Sequence, residues 1–457
     1  MERKFDSVLE KWYSRKDHKA LIVRGPRQVG KSYSIRKFGS RKYSSVIELN
    51  FEDTPDYMSI FEGDISAKAV FEKLSLAFPT KSFEGSLLFL DEIQHCQGAF
   101  SALKPLVQDG RCDIICSGSV LSEAIGEKRL LPMGFVEQVY LSPMDFEEFL
   151  WAMGFSHLQT ENIRTHILNM EPFERFVLTQ LNELFKRYIV VGGMPESVSA
   201  YVNTGLYSNS FTVLKALLSL LSDDVNQYVG NSTDKIRIRQ CIDSIPRQLS
   251  REKYASFLYS EISSNTGYGQ REFGPAVRWI EEAGIIDICH NIEEISEPFK
   301  IKTNGNAFKV YMKDTGILVC MLGANVAKGI VDGDTVVNNG AVMENAIAES
   351  LIRKGYEIYY YSNNSRRLEI DFVLNMNGLV SVIEVKSGRK KSAKSLIKVL
   401  NEDKTVKTAI KVSDSNLSVD ENGVRHYPLF GPSFFEEARV SEPSQMHCLE
   451  NLKTALE

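Results

Sequence analysis

Over the first 145 positions the apolar residues gather in short runs at 20–23, 46–50, 87–90 and 113–116, separated by longer stretches in which they recur every three or four residues. Runs of four or five are too short for a helix, and runs without a polar face mark strands buried on both sides. Strand and helix therefore alternate, which predicts a parallel sheet covered by helices, with a further strand at 137–141. From Asp145 the spacing turns helical, first in Asp145-Phe146-Glu147-Glu148-Phe149-Leu150-Trp151-Ala152 and again over 173–188. Gly192-Gly193-Met194-Pro195 interrupts that run, and Pro195 suits the first turn of the next helix.

Residues 234–298 follow the pattern of a winged helix-turn-helix. Helices are expected at 236–245 and 254–263, a loop at 265–269, a third helix from Pro275 to a stop at Gly284, and a first wing strand at 285–288. Between 305 and 435 the order becomes helix (342–354), strands (356–361, 368–374 and 379–385), helix (392–400) and strand (408–412), with a tight turn at 375–378. The expected division is 1–145, 146–300, 301–440 and a polar tail over 441–457.

The first apolar run leads into Gly25, Pro26, Arg27, Gln28, Val29, Gly30, Lys31 and Ser32, a complete phosphate-binding loop in strand–loop–helix context. Backbone N–H groups of such a loop converge on phosphates, and Gly25 and Gly30 permit a backbone that a side chain would block. Lys31 supplies a point charge to the β- and γ-phosphates, and Ser32 supplies a hydroxyl to magnesium. The run at 87–90 ends in Asp91-Glu92, which places Asp91 at the metal and Glu92 beside the attacking water. The next strand ends in Ser117-Gly118-Ser119, making Ser117 the candidate γ-phosphate sensor and Ser119 the reserve. ATP and Mg²⁺ are the implied ligands. His95 is read as a loop histidine, with a catalytic helper the lesser alternative.

A second constellation lies near the other end. Asp371 and Glu384-Val385-Lys386 occupy consecutive strands joined by the tight turn, and Glu344 sits on the preceding helix. Alternation puts Glu384 and Lys386 on one face and Glu369 and Asp371 on one face, with Leu368, Ile370, Phe372 and Leu374 buried opposite. These are the ingredients of a magnesium-dependent phosphodiesterase: Asp371 and Glu384 hold the metal, and Lys386 positions water. A structural pair, Glu384 bridging Lys386, is the competing reading.

A net charge of −5 argues against a basic nucleic-acid coat, although Arg366-Arg367 and the 389–398 stretch are locally basic. Arg271 and Arg278 are the candidate DNA contacts if the winged helix reads DNA; acidic neighbours favour a packed spacer instead. The seven cysteines are dispersed without metal spacing, and no apolar segment spans a bilayer, so the expected location is the cytoplasm and no membrane partner is expected.

Taken together, residues 25–32, 87–92, 117–119, 141–152, the Gly-Gly-Met-Pro-Glu stretch, Lys313-Asp314-Thr315-Gly316 and 369–386 make the chain resemble prokaryotic AAA-type ATPases that carry a C-terminal domain of unknown function. The 369–386 segment is similar to the PD-(D/E)-x-K nuclease superfamily, with Asp371 as the central aspartate. The resemblance implies an α/β fold: an AAA-type P-loop sheet, a helical and winged-helix region, and a restriction-endonuclease-like end. Relatives commonly carry Gly-Arg where this chain has Gly134-Phe135, so an arginine finger from that position is in doubt, with Lys128 and Arg129 the nearby substitutes. Two functions follow: an ATPase coupled to a nuclease-like, DNA-directed module, or a regulatory ATPase whose C-terminal domain binds a protein partner and cuts nothing. The oligomeric state is open.

Overall fold

The computed structural model describes residues 1–118, 132, 134–229, 231–250, 256–263, 268–333, 339–363, 368–386 and 394–438. Ser119, Lys128, Arg129, Arg366, Arg367 and the basic residues at 389–391 lie outside the described residues.

The N-terminal strands are β1 (Ala20–Arg24), β2 (Val46–Asn50), β3 (Ser86–Asp91), β4 (Cys112–Gly118) and β5 (Val136–Tyr140), in the order β2-β3-β4-β1-β5. All pairings are parallel. Alternation splits the side chains between two cores. Leu21, Val23, Phe89 and Ile115 meet Phe5, Leu9 and Trp12 of α1 (Lys4–Tyr13) and Ile35 and Phe38 of α2 (Lys31–Lys42). Ile22, Leu88, Leu90 and Ile114 meet α3 (Ala67–Ala77) and α4 (Gln97–Asp109) on the other side. The near-uniform apolarity of β1 and β3 is thus the consequence of two covered faces.

The helical region comprises α5 (Phe146–Ala152), α6 (His157–Asn169), α7 (Arg175–Val191), α8 (Pro195–Thr204), α9 (Tyr207–Tyr228), α10 (Ser232–Leu249) and α11 (Gln270–Glu282). Asp145 caps α5 through a reciprocal bond with Glu148. The winged-helix expectation needs correction in three places. The second helix is represented, among the described residues, only by a 3₁₀ turn at Tyr259–Glu261. The third begins at Gln270 rather than at Pro275, because the Gly269 N–H is satisfied by Glu272 Oε2 at 2.8 Å and starts the helix earlier. The wing strand is β6 (Ile286–Ile292), and it does not stay in a small hairpin with β7 (Thr303–Met312). β6 also pairs in parallel with β8 (Tyr359–Asn363), so both join a sheet that crosses the expected boundary at 300.

That eight-stranded sheet has the order β12-β13-β11-β10-β9-β8-β6-β7, with β9 (Leu368–Met376), β10 (Leu379–Val385), β11 (Thr408–Ser413), β12 (Ser418–Val419) and β13 (Arg425–Pro428). Between β7 and β8 the chain forms α12 (Thr315–Leu322), α13 (Ala324–Asp332) and α14 (Asn339–Arg353); α15 (Lys394–Glu402) follows β10. α14 covers one face, packing Val342, Ile347 and Leu351 with Phe372, Ile383 and Val412. α15 covers the other, packing Leu396 and Val399 with Ile370, Val373 and Val382. The α14 core runs on without a break into the helical region, where Phe146 lies 5.0 Å from Phe185 and 6.2 Å from Phe430 and Phe434. Among the described residues no single helix is long and apolar enough to cross a membrane.

β9 does not alternate as the sequence suggests. Tyr359 opposes Val373 while Tyr361 opposes Ile370, so Asp371 and Phe372 together face a single residue of β8. This bulge shifts the phase: Ile370 packs under α15, whereas Phe372 packs under α14. The expected common face for Leu368, Ile370, Phe372 and Leu374 is therefore broken at Asp371.

The Gly-Gly turn after α7 packs tightly against both the Met144 segment and the Asp314 cap of α12. A Cβ on Gly193 would sit 2.1 Å from the Met144 carbonyl oxygen, and one on Gly192 would sit 2.3 Å from Asp314 Oδ1. Both are backbone or capping atoms with nowhere to go. Gly193→Ala should lower stability by about 2–3 kcal/mol, read as a drop in thermal midpoint. Gly205→Ala, at φ +70° but with nothing within 4 Å, should cost only about 1 kcal/mol. Equal losses for the two variants would contradict the close approach.

Candidate nucleotide site and its link to the C-terminal sheet

The phosphate loop joins β1 to α2 with Gly25 at φ 155°, Gln28 at φ 59° and Gly30 at φ 95°. A Cβ on Gly25 would lie 2.3 Å from the Leu141 carbonyl oxygen, so that glycine is required by the neighbouring strand as well as by the loop. Lys31 is buried, and its Nζ donates to the carbonyls of Gly25 (3.1 Å) and Pro26 (2.8 Å). Burial holds its pKa below the ordinary lysine value, against the attraction of Glu92 and Asp91.

Parallel pairing brings the tips of β1, β3 and β4 together, and with them the expected site residues. Ser32 Oγ donates to Asp91 Oδ1 at 2.9 Å, and Ser117 Oγ donates to the same oxygen. Asp91 is buried, which raises its pKa; the two hydroxyls oppose that shift. A hydroxyl and a carboxylate side by side are hard oxygen donors of the kind that suit Mg²⁺. Glu92 sits in the left-handed region at φ 51°, a conformation that costs about 1–3 kcal/mol for a non-glycine residue and collects at functional positions. Its carboxylate accepts from Gln94 Nε2 at 2.5 Å.

Contacts that the sequence did not predict frame this loop. Arg3 is buried and donates through Nε to Glu148 Oε1 (3.0 Å), through Nη1 to the Val29 carbonyl (3.0 Å) and through Nη2 to the Ser142 carbonyl (2.7 Å). Arg27, expected only as a loop residue, pairs with Glu52 at 2.9 Å and with Asp224 of α9. Pro195, at the start of α8, comes within 3.8 Å of a Cβ built on Gly30.

Behind the loop lies a buried polar network. Asp314 caps α12 by accepting from the Ile317 N–H (3.0 Å) and also accepts from the Gly193 N–H (2.7 Å). Glu349 of α14 accepts from the Thr315 N–H (2.8 Å), the Thr315 hydroxyl (2.5 Å) and the Tyr188 hydroxyl (2.6 Å). Arg353, one turn on, pairs with Glu349 at 2.8 Å and donates to the carbonyls of Met144 (2.6 Å) and Lys313 (3.2 Å). Asn345, one turn back, donates to Met312 O (3.0 Å) and accepts from Met312 N–H (2.7 Å). The 345/349/353 stripe, at helical spacing among apolar neighbours, was a readable signal of buried polar work.

In the C-terminal sheet, the expected residues are only partly assembled. Asp371 Oδ2 accepts from the Val385 N–H at 2.7 Å. Its pKa is pushed up to about 7, chiefly by burial and next by the charge of Glu344, so Glu344 does approach it. Glu344, however, accepts from Lys309 Nζ (2.9 Å) and the Tyr311 hydroxyl (2.6 Å), neither of which the sequence reading included. Glu384 is in phase with Val380 and Val382, on the α15 side, and pairs with Lys386. Lys386 is thus paired with Glu384, and its charge also reaches Asp371. Glu384 Oε2 is buried with no hydrogen-bond partner. Among the described residues, no group of three or more His, Cys, Asp or Glu side chains is arranged to hold a metal.

Residues 17–150 match a family model described as an AAA domain, residues 182–328 a domain of unknown function (DUF8612), and residues 339–429 a domain of unknown function (DUF4143). The N-terminal domain is an AAA-type P-loop ATPase domain. The second match crosses residue 300, as the shared sheet does. An uncharacterized protein of Haemophilus influenzae is 21% identical over 391 residues, covering 80% of this chain and 81% of its own length. Among solved structures, the Walker-type ATPase paby2304 of Pyrococcus abyssi is 14% identical, covering 70% of this chain and 95% of its own, at a TM-score of 0.39. The Aeropyrum pernix ORC1 protein in complex with DNA is 11% identical, covering 73% and 91%, at 0.29.

One titration reports on the junction between the halves. Lys354 is buried near Lys4 and Asp145, and burial followed by repulsion from Lys4 lowers its pKa from 10.5 to about 8. Between those values the unfolded chain keeps a proton that the folded chain has lost, so this group's contribution to stability rises with pH across that window. Lys354→Met should be more stable than wild type at pH 7, with the gap closing toward pH 10. Urea denaturation of both proteins at several pH values checks this; a gap independent of pH would contradict it.

Proposed function

We propose that this chain is a Mg²⁺-dependent ATP hydrolase that passes its nucleotide state to the C-terminal sheet domain. The convergence of Lys31, Ser32, Asp91, Glu92 and Ser117 at the tips of β1, β3 and β4 carries the reading. Lys31 is bonded to two loop carbonyls; a triphosphate offers it a stronger, charged partner. Glu92 takes the proton of the attacking water, and Ser117 turns from Asp91 to the γ-phosphate. Mg²⁺, held by Ser32 and Asp91, would neutralise charge on the β- and γ-phosphates.

For the C-terminal domain, the reading we favour is a nuclease-like module directed at DNA, with Asp371 and Glu384 as the cation ligands, Lys386 beside them and Glu344 in support. The partnerless Glu384 Oε2 supports it, since a buried carboxylate oxygen wants a cation or a donor. The second reading, a module that binds a protein partner and cuts nothing, is supported by the Glu384–Lys386 and Glu344–Lys309 pairs. Arg271 and Arg278 remain the proposed DNA contacts, and 1–145, 146–300 and 301–440 the proposed functional units, with the sheet shared across the last boundary. A cytoplasmic location belongs to the same reading; Cys96, Cys112, Cys116, Cys241, Cys289 and Cys320 are free thiols.

Phosphate release and nucleotide binding on three proteins test the ATPase claim. Lys31→Ala should lose most ATP affinity. Glu92→Gln should bind ATP as wild type does and turn over about 10²–10⁴-fold more slowly, since an amide cannot accept the proton. Near wild-type turnover by Glu92→Gln would overturn the assignment.

A further inference from the structure

Arg27 stands in the phosphate loop directly after Pro26, whose carbonyl accepts from Lys31 Nζ at 2.8 Å. Its Nη2 donates to Glu52 Oε1 at 2.9 Å, and its Nη1 pairs with Asp224 Oδ1 of α9. Glu52 is a fixed anchor. Asn50, the last residue of β2, accepts through Oδ1 from the N–H groups of Glu52 and Asp53, both at 2.9 Å. Asn50 also lies opposite Asp91 in the parallel register, with its Nδ2 3.5 Å from Asp91 Oδ2. The guanidinium therefore reaches from the phosphate loop to the strand tips beside Asp91 and Glu92, the end of the site where a γ-phosphate would lie. Asp224 is a different kind of partner. It is 4% exposed and stands near the end of α9, and among the described residues Arg27 is its one hydrogen-bond partner. Arg27 and Asp224 also line a mainly apolar cavity of about 50 Å³, which Leu217 and Leu221 of α9 share with Trp279 of α11 and Ile317 of α12.

We propose that Arg27 is a direct γ-phosphate ligand supplied by the phosphate loop itself, and that Asp224 competes with the phosphate for its Nη1. The inference rests on the ATP-hydrolase reading and assigns that site a further cation. Charge spread over the γ-phosphate oxygens calls for more than Lys31 and Mg²⁺, and an arginine fork suits phosphate oxygens as it suits a carboxylate. The division of partners fits the role. Glu52 holds Nη2, and with it the direction of the guanidinium, while Nη1 exchanges one anion for another. The exchange has a consequence on the far side of the pair. Asp224 without Arg27 is a buried carboxylate with no counter-charge, which is costly, so α9 must shift to bring it to water or to a new donor. Leu217 and Leu221 lie about two turns and one turn back on the same face of α9 as Asp224, and the cavity gives them room to move against Trp279 and Ile317. Nucleotide state is thereby converted into a displacement of α9 against the two helices that flank β6 and β7 in the chain.

Calorimetric titration of the full chain with Mg²⁺-AMP-PNP, a non-hydrolysable triphosphate, and with Mg²⁺-ADP tests this, with near-UV circular dichroism as the control for folding. Arg27→Met should bind the triphosphate about 10- to 100-fold more weakly than wild type, the scale of a hydrogen bond to a charged group, with ADP affinity unchanged. Asp224→Asn should bind the triphosphate at least about threefold more tightly, since a competing state of the guanidinium is removed, again with no change for ADP. Because Arg27→Met leaves Asp224 buried and unpaired, Arg27→Met with Asp224→Asn provides a second test; it removes both charges and should keep a loss specific to the triphosphate. Equal weakening of both nucleotides in the folded Arg27 variants, or no weakening of either, would overturn the γ-phosphate contact. Asp224→Asn that binds the triphosphate no more tightly than wild type would overturn the competition. Wild type that binds neither nucleotide would overturn the ATP-hydrolase reading together with this inference.

Discussion

The Arg353 guanidinium is the charge on which the two halves of this protein depend. It is buried, and its donors are shared among Glu349, the Tyr188 hydroxyl and the carbonyls of Met144 and Lys313. Those partners come from α14, α7, the segment entering α5 and the end of β7. Desolvating an arginine is expensive, so the arrangement holds only when every partner is in place; losing one side of such a buried pair costs about 3–5 kcal/mol. The network thus acts as a register pin. It fixes how the Gly192-Gly193 turn meets Asp314, and the Met144 segment it grips runs directly back to Leu141, whose carbonyl abuts Gly25 of the phosphate loop.

That connection gives the nucleotide site a mechanical context. The loop is clasped by Arg3 from the N-terminal helix, by Arg27 reaching to Asp224 on α9, and by Pro195 over Gly30. Each clasp belongs to a different segment, and the two arginine clasps use charges that a triphosphate would compete for or rearrange. Lys31, bonded to loop carbonyls and held down in pKa by burial, is the group with most to gain from a charged ligand.

The sheet of the ATPase domain was legible because its strands carry two covered faces and end in side chains whose chemistry is specific to phosphates. Gly25, Gly30, Lys31, Ser32, Asp91 and Ser117 were all placed by pattern, and the strand tips bring them together. The C-terminal strands were found for the same reason, with 379–385 matching β10 residue for residue. What was not legible depended on partners distant in sequence. Nothing local says that β6 continues into a larger sheet, that one extra residue bulges β9 at Asp371, or that Lys309 enters an acid cluster from another strand. A period-two argument assumes an unbroken ladder, and a single bulge is enough to reverse it. Asp314 and the Asn345, Glu349 and Arg353 stripe carried readable local signals, a helix cap and polar residues at helical spacing among apolar neighbours, but their meeting point was tertiary.

The central claim is that nucleotide state at the phosphate loop reaches the C-terminal sheet. Hydrogen–deuterium exchange on the full-length Glu92→Gln chain, with and without Mg²⁺-ATP, tests it most directly. The account predicts slowed exchange over 25–32, together with altered exchange in β6, β7 and α14. A change confined to residues 1–145, with the C-terminal sheet exchanging identically in both states, would contradict it.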